Sequence, residues 1–105
     1  MSHVDEQIGR VLETLEQRKL LEDTLIVFLA DHGDMLGDQH LWRKTYAYEP
    51  SARIPMLMRW PTGMLSAKRG STRREPVKLR DILPTFLEAA GTVPSRAIDG
   101  RSLLS

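Results

Sequence analysis

The stretch that decides the fold is Thr24-Leu-Ile-Val-Phe-Leu-Ala30, which runs directly into Asp31-His32-Gly33-Asp34. The six consecutive apolar residues 25–30 are typical of a strand that is buried on both faces. In open α/β sheets, ligands bind beyond the carboxyl ends of the strands. An acid and an imidazole placed there, before a glycine that lets the backbone turn, suit a metal ion or an anionic substrate. Taken alone, Asp-His-Gly is more typical of a simple turn after a strand.

Two helices and a second strand are predicted around this segment. Ser2 to Lys19 carries apolar residues on one face at helical spacing, which predicts an amphipathic helix packed on a core, with Gly9 close to a neighbour. A second short strand is predicted from Ile54 to Trp60. A second helix is predicted within residues 77–90, with Pro84 in its first turn. Together these elements indicate an α/β chain.

Size and composition exclude several classes of protein. The chain has 105 residues, 41% of them hydrophobic and 28% charged, so we expect one globular domain over residues 1–105. Its net charge of +1 provides no field that would recruit nucleic acid or a membrane. The sequence has no apolar run long enough for a transmembrane helix and no signal-peptide pattern at its start. Without cysteine it forms no disulfide and no thiolate metal site.

Two long irregular segments are predicted. Residues 31–50 show no regular period, and loops of this length inside compact domains are usually functional. Residues 62–74 include four basic side chains on a loop rich in glycine and serine. Since no aromatic residues alternate with these charges, we interpret this segment as a solvated loop, with contact to an acidic polysaccharide as the alternative.

Several motifs occur together in the central segment: Asp31-His-Gly-Asp-Met-Leu-Gly-Asp38, Leu41-Trp-Arg-Lys44, Tyr48-Glu49 and Ser51-Ala-Arg-Ile-Pro55. This series resembles the carboxyl-terminal part of a sulfatase of the alkaline-phosphatase superfamily. Val4–Leu12, Leu79–Thr85 and Asp99–Leu103 resemble the same family in the same order. The resemblance implies an α/β fold: part of an alkaline-phosphatase-like three-layer α/β/α sandwich with a mostly parallel sheet, incomplete in this chain. An incomplete sheet leaves an open edge, through which we expect self-association.

The resemblance also implies a calcium and sulfate site. Asp31 is expected to bind calcium through its carboxylate, and His32 to lie beside the metal and the nucleophile, as a second-ranked ligand because imidazole is an unusual partner for calcium. Lys44 matches the family's lysine that contacts a sulfate oxygen and the leaving-group oxygen, a task suited to a compact positive charge. The alternative for Lys44 is an ordinary surface lysine.

Three further residues have supporting roles by the same resemblance. Glu49 and Arg53 are expected to form an ion pair or hydrogen-bonded shell that positions the loop. His40 is a candidate for substrate binding. Here Gln39 stands where the family often has His, and His40 stands where it often has Gly, so an exposed histidine is the alternative.

The family's nucleophile, a formylglycine made within a C/S-x-P-x-R motif, has no counterpart in the sequence, and neither has its Asp-Asp pair of metal ligands. We therefore expect the chain to be a fragment of a sulfuric ester hydrolase. The complete enzyme would act on a sulfated small molecule or glycan, and the fragment by itself would hydrolyse nothing. The alternatives are a phosphonate or phosphate monoester hydrolase fragment of the same superfamily, and a non-catalytic oligomeric binding module. Localisation stays open, because related full-length enzymes are often exported.

Overall fold

The structure is a computed structural model that describes residues 2–104. Its helices are α1 (Ser2–Gln17), the single turn α2 (Glu49–Ala52) and α3 (Ile82–Ala89), and its strands are β1 (Ile26–Leu29) and β2 (Met56–Arg59). Three short 3-10 turns cover Leu21–Asp23, Asp38–His40 and Leu79–Asp81. The predicted helices and strands are all present, each somewhat shorter than expected. Within this part of the chain, no helix has the length and apolar character needed to cross a membrane.

β1 and β2 pair with each other as neighbours in an antiparallel sheet. The chain is thus an α/β piece, and the parallel order expected of the larger sheet is not found in this pair. The connection between the two strands closes on itself, since Gly33 N–H, after β1, donates to the carbonyl oxygen of Ser51, before β2, at 2.8 Å. β1 is also not buried on both faces, since the side chain of Phe28 is 43% exposed.

The chain divides into two compact units, one formed by residues 2–25 with 59–104 and the other by residues 26–58. In the first unit, no residue that the structure describes in α1 is buried, and Val11 is 60% exposed. The core packing predicted for this helix is therefore only partial, since Ile8, Leu12 and Leu15 are half-buried. No heavy atom lies within 4 Å of a Cβ built on Gly9, which corrects the expected close contact there.

The carboxyl-terminal tail is fastened to α3 within the first unit. Thr85 is fully buried, and its hydroxyl donates to the carbonyl oxygen of Asp81 at 2.5 Å and accepts from Leu103 N–H at 3.0 Å. The carboxylate of Asp81 accepts N–H from Arg101 at 3.0 Å. Gly91, at φ +63°, follows the end of α3 in the left-handed conformation that glycine adopts readily.

In the second unit, the side chain of Met35 is 1% exposed. Among residues 2–104 it is the one apolar side chain that is fully buried. It follows the Asp-His-Gly-Asp segment directly, so it anchors that segment. Its N–H donates to the carbonyl oxygen of Arg43 at 2.9 Å, which fixes the opposite side of the same loop.

Candidate active-site loop

The candidate residues lie on a loop that begins at the end of β1 and closes before β2. Three backbone hydrogen bonds bridge the two sides of this loop: Gly33 N–H to Ser51, Met35 N–H to Arg43, and Gly37 N–H to Leu41, each at 2.8 or 2.9 Å. Gly33 is required at its position, because a Cβ there would overlap the carbonyl oxygen of Pro50. The loop is therefore a closed structure with a fixed start, and Asp31 and His32 stand at that start.

Asp31 and His32 form a compact pair. One carboxylate oxygen, Asp31 Oδ1, accepts the backbone N–H of His32 at 3.0 Å. The ring atom His32 Nδ1 lies 2.7 Å from the carbonyl oxygen of Gly33. Since a carbonyl only accepts, Nδ1 carries the proton, and in the neutral ring Nε2 then holds a free lone pair.

That lone pair lies beside the second carboxylate oxygen. His32 Nε2 and Asp31 Oδ2 are 3.5 Å apart, and the Asp31 side chain is 83% exposed. Calcium–oxygen distances are about 2.3–2.6 Å, so two donor atoms at this separation can both reach one cation. The pair therefore fits a metal ion as two neighbouring ligands. In the absence of a metal, a protonated His32 would form an ion pair with the same carboxylate.

Two ligands are few for calcium, which takes six to eight oxygen ligands. Across residues 2–104, the structure contains no group of three or more His, Asp or Glu side chains arranged to hold a metal. A complete calcium site would thus need further ligands besides this pair. The chemistry of the donor set fits the expected role of Asp31 better than that of His32, because calcium prefers oxygen.

Lys44 lies on the returning side of the loop, next to the hydrogen-bonded Arg43. Its side chain is exposed and makes no hydrogen bond or ion pair with any residue that the structure describes. Trp42, two residues earlier, is 68% exposed and lies over Gly37, whose built Cβ would be 3.4 Å from the indole ring. Lys44 is therefore an exposed cation on an anchored loop, which agrees with either of its two interpretations.

Glu49 and Arg53 face each other across the single turn α2. Arg53 Nη1 lies 3.8 Å from Glu49 Oε2, and Arg53 N–H donates to the carbonyl oxygen of Glu49 at 2.8 Å. Both side chains are more than 80% exposed, so the ion pair contributes only about 0.3–0.5 kcal/mol to stability. The expected pair is present, and its role in positioning the loop stays a prediction.

His40 belongs to a strained part of the loop, and no pattern in the sequence predicts this strain. Leu36, Gln39, His40 and Arg43 all have positive φ angles, between 48° and 68°, although none of them is glycine. Such conformations cost of order 1–3 kcal/mol each and cluster at functional sites. The side chain of His40 is exposed. The strain is the site feature that sequence reasoning missed.

Comparison with known proteins identifies the family. The profile of the Sulfatase family matches residues 1–92. The chain belongs to the sulfatase family. It is 41% identical over 103 residues to an arylsulfatase of Clostridium perfringens, covering 98% of this chain and 21% of that protein. It is 39% identical to an N-acetylglucosamine-6-O-sulfatase of Bacteroides thetaiotaomicron, covering 95% of this chain and 17% of the relative.

Solved structures of the superfamily superpose on the chain. A phosphonate monoester hydrolase from Silicibacter pomeroyi matches 95% of this chain and 19% of its own, with a TM-score of 0.86 and 41% identity. A protein solved with its substrate D-glucosamine-2-N,6-O-disulfate matches with a TM-score of 0.77 and 40% identity, over 95% of this chain and 20% of its own. The chain thus spans about a fifth of the length of the relatives it matches.

Proposed function

We propose that this chain is the carboxyl-terminal part of a sulfatase domain and supplies part of the calcium and sulfate site of a sulfuric ester hydrolase. The observation that carries the proposal is the match to the Sulfatase family over residues 1–92, which includes the closed loop that follows β1. The larger domain would have the three-layer α/β/α architecture of the alkaline-phosphatase superfamily. Its substrate would be a sulfated small molecule or glycan, in line with relatives named for aryl sulfates and N-acetylglucosamine sulfate.

Each loop residue has a distinct task in this proposal. Asp31 would bind calcium through its exposed carboxylate, with His32 beside it. When bound, calcium would supply positive charge that orients a sulfate oxygen. The ammonium of Lys44 would offset the negative charge that develops on the sulfuryl and leaving-group oxygens.

Around these residues, the Glu49–Arg53 pair would hold the turn α2 at the base of the loop. His40 would contact substrate from the strained turn. The chain contains no cysteine and no C/S-x-P-x-R motif, so the nucleophile would have to come from outside residues 1–105.

The test places single substitutions in the natural gene product by editing its own locus, and measures hydrolysis of p-nitrophenyl sulfate. Removing one group that stabilises developing charge costs about 10²–10³-fold in kcat. Asp31→Asn and Lys44→Ala are expected to lower kcat by that amount. The control is Lys68→Ala, an exposed lysine outside the loop, which is expected to leave kcat unchanged. Unaltered kcat in both loop variants would refute the assignment.

A second candidate activity is phosphonate monoester hydrolysis. The observation that favours it is the TM-score of 0.86 to the Silicibacter pomeroyi enzyme at 41% identity. Both reactions transfer a tetrahedral oxyanion group, so the loop residues would serve either one. The ratio of kcat/KM for p-nitrophenyl sulfate to that for p-nitrophenyl phenylphosphonate decides between them, and we expect it to exceed one.

A non-catalytic binding module remains the third candidate. Large apolar side chains such as Val11, Leu57 and Leu83 are more than half exposed, which an oligomer would cover. The sheet that the structure describes has two strands, so each strand has an open edge for the expected self-association. Size-exclusion chromatography with and without calcium tests this candidate, which predicts an oligomer independent of the metal.

A further inference from the structure

A second group of charged residues lies outside the active-site loop, around the 3-10 turn Leu79–Asp81. A shallow surface depression of about 380 Å³, open to solvent and called the cavity below, is lined there by Pro76, Lys78, Arg80, Asp81, Gly100 and Arg101. We propose that this cavity binds a tetrahedral oxyanion group, either free sulfate or phosphate or the sulfate group of a glycan. The proposal is independent of the proposed hydrolysis, because it concerns residues of the other compact unit.

Asp81 ties together the two segments that carry the basic side chains. Its Oδ2 atom accepts the backbone N–H of Lys78 at 2.9 Å, and its Oδ1 atom accepts that of Arg101 at 3.0 Å. Gly100 brings the tail into direct contact with the turn, since a Cβ at this position would overlap the carbonyl oxygen of Arg80. At φ +99°, Gly100 also has a backbone conformation that other residues rarely adopt. The site is thus built by backbone contacts that bring residues 78–81 against residues 100–101.

The carboxylate of Asp81 does not cancel the positive charge of this cavity. Asp81 is 5% exposed, and both its oxygens already accept backbone N–H groups. The N–H groups of Arg101 and Lys78 lower the pKa of this carboxyl, and the guanidinium groups of Arg101 and Arg80 lower it further. Glu75, next to the lining residue Pro76, has a pKa that is lowered first by backbone N–H groups and also by the charge of Arg101. Three cations against the two carboxylates of Asp81 and Glu75 still leave a net positive charge. An entering anion therefore meets more positive than negative charge.

The three basic side chains are available to an anion. None of them forms an ion pair with any side chain between residues 2 and 104. Arg101 Nη2 makes one long, exposed contact of 3.4 Å to the carbonyl oxygen of the lining residue Pro76. A guanidinium has five N–H donors in a planar fork, so most of its donors stay free to bind an oxyanion.

The size of the cavity and the surrounding charge agree with this ligand. At about 380 Å³, the open depression has room for a small group such as sulfate on a single sugar, part of which would stay in solvent. Residues 68–80 contain six Lys or Arg and one acid, Glu75. Two of these cations are already engaged, Arg69 with Glu22 at 3.7 Å and Arg73 with Glu75 at 3.8 Å. The neighbouring loop would therefore attract anions, whereas the cavity would hold them.

The experiment titrates the purified 105-residue chain with sodium sulfate at low ionic strength, following amide shifts by NMR. The test variant is Arg80→Gln/Arg101→Gln, in which the backbone donor of residue 101 is kept. The matched control is Lys68→Gln/Arg74→Gln, which removes the same charge outside the cavity and breaks no ion pair among residues 2–104. Losing one charge-assisted contact corresponds to about a tenfold change in affinity. We expect sulfate binding to weaken at least about tenfold in the test variant and less than about threefold in the control.

Two further arms complete the test. Arg80→Lys/Arg101→Lys keeps the charge and is expected to retain more affinity than the glutamine pair. This lysine variant keeps the proposal testable if the glutamine variant fails to fold. Sulfated dextran oligosaccharides, with unsulfated dextran as control, separate the two ligand sources. Binding of sulfate together with sulfated dextran supports a glycan-borne group, and binding of sulfate alone supports a free oxyanion.

Three results would overturn the proposal. The first is no saturable sulfate binding by the wild-type chain. The second is equal weakening by the test and control pairs, which would mean that only the general charge attracts the anion. The third is equal binding of dextran with and without sulfate. None of these measurements involves ester cleavage, so failure here is distinct from failure of the proposed hydrolysis.

Discussion

The substitution Gly33→Ala tests how the active-site loop is closed. A Cβ at residue 33 would overlap the carbonyl oxygen of Pro50 and lie 3.0 Å from its carbonyl carbon and 3.3 Å from the carbonyl oxygen of Ser51. All three atoms belong to the backbone, so relief requires the main chain before β2 to move. That movement would weaken the hydrogen bond from Gly33 N–H to Ser51, now 2.8 Å long.

The expected cost follows from these two effects. Overpacking of this kind costs about 1–3 kcal/mol, and a lost backbone hydrogen bond costs about 1 kcal/mol more. The sum, about 2–4 kcal/mol, is a large part of the 5–15 kcal/mol by which domains are typically stable. Gly9→Ala is the matched control. Nothing lies within 4 Å of its built Cβ, and alanine in a helix gains about 0.5–1 kcal/mol over glycine.

Urea unfolding followed by circular dichroism measures both variants against the wild type. We expect the unfolding midpoint to fall for Gly33→Ala and to rise for Gly9→Ala. Hydrogen exchange of the residue-33 amide should become faster in the first variant only. A Gly33→Ala midpoint equal to or above that of the wild type would refute the reasoning, as would unchanged protection of that amide.

Two further predictions concern the tail on α3. Thr85→Val leaves Leu103 N–H without its acceptor and should lower the free energy of unfolding by about 1–3 kcal/mol, whereas Thr85→Ser keeps the hydroxyl and should cost only about 1 kcal/mol for the lost methyl group; equal urea midpoints for the two variants would contradict this. The pKa of Asp81 is lowered on folding from its ordinary 3.8 by the N–H groups of Arg101 and Lys78. Its contribution to stability is therefore present above pH 3.8 and is lost as the pH falls through the lowered value. The stability difference between the wild type and Asp81→Asn should shrink as urea titrations move from pH 6 to pH 3, and a constant difference would contradict the assignment.

The sequence predicts the elements well because local pattern determines them. Helical spacing within Ser2–Lys19 and the apolar run at residues 25–30 are properties of neighbouring residues, and both elements are confirmed. Strand direction is different, because it depends on where the loop after β1 leads. The loop closes through the contact of Gly33 with Ser51, and no local pattern encodes a contact between residues so far apart in the sequence.

Burial was predicted least well, since it depends on what covers each face. The apolar faces of α1 and β1 predict a buried helix and a buried strand, yet Val11 and Phe28 are exposed in the structure. The spacing of apolar residues shows which face of an element prefers burial. It does not show whether this chain contains the element that would cover that face. Exposed faces of this kind support a larger domain as the setting of the chain.

The candidate site was predictable where residues are adjacent in sequence. Asp31 and His32 come directly after β1, so their proximity follows from the chain itself. The left-handed conformations at Gln39, His40 and Arg43 could not be predicted from the sequence, because none of these residues is a glycine. The roles of Lys44 and His40 likewise depend on groups that residues 2–104 do not provide, so they stay predictions.

The most direct test of the central claim follows sulfatase activity and this chain together. An extract of the organism is fractionated by size, each fraction is assayed with p-nitrophenyl sulfate, and peptides of residues 1–105 are located by mass spectrometry. We expect the peptides in an active fraction at roughly five times 12.0 kDa, because the chain corresponds to 21% of the Clostridium perfringens relative. Activity from a species of 12.0 kDa would contradict the account, as would peptides that elute only in fractions without activity.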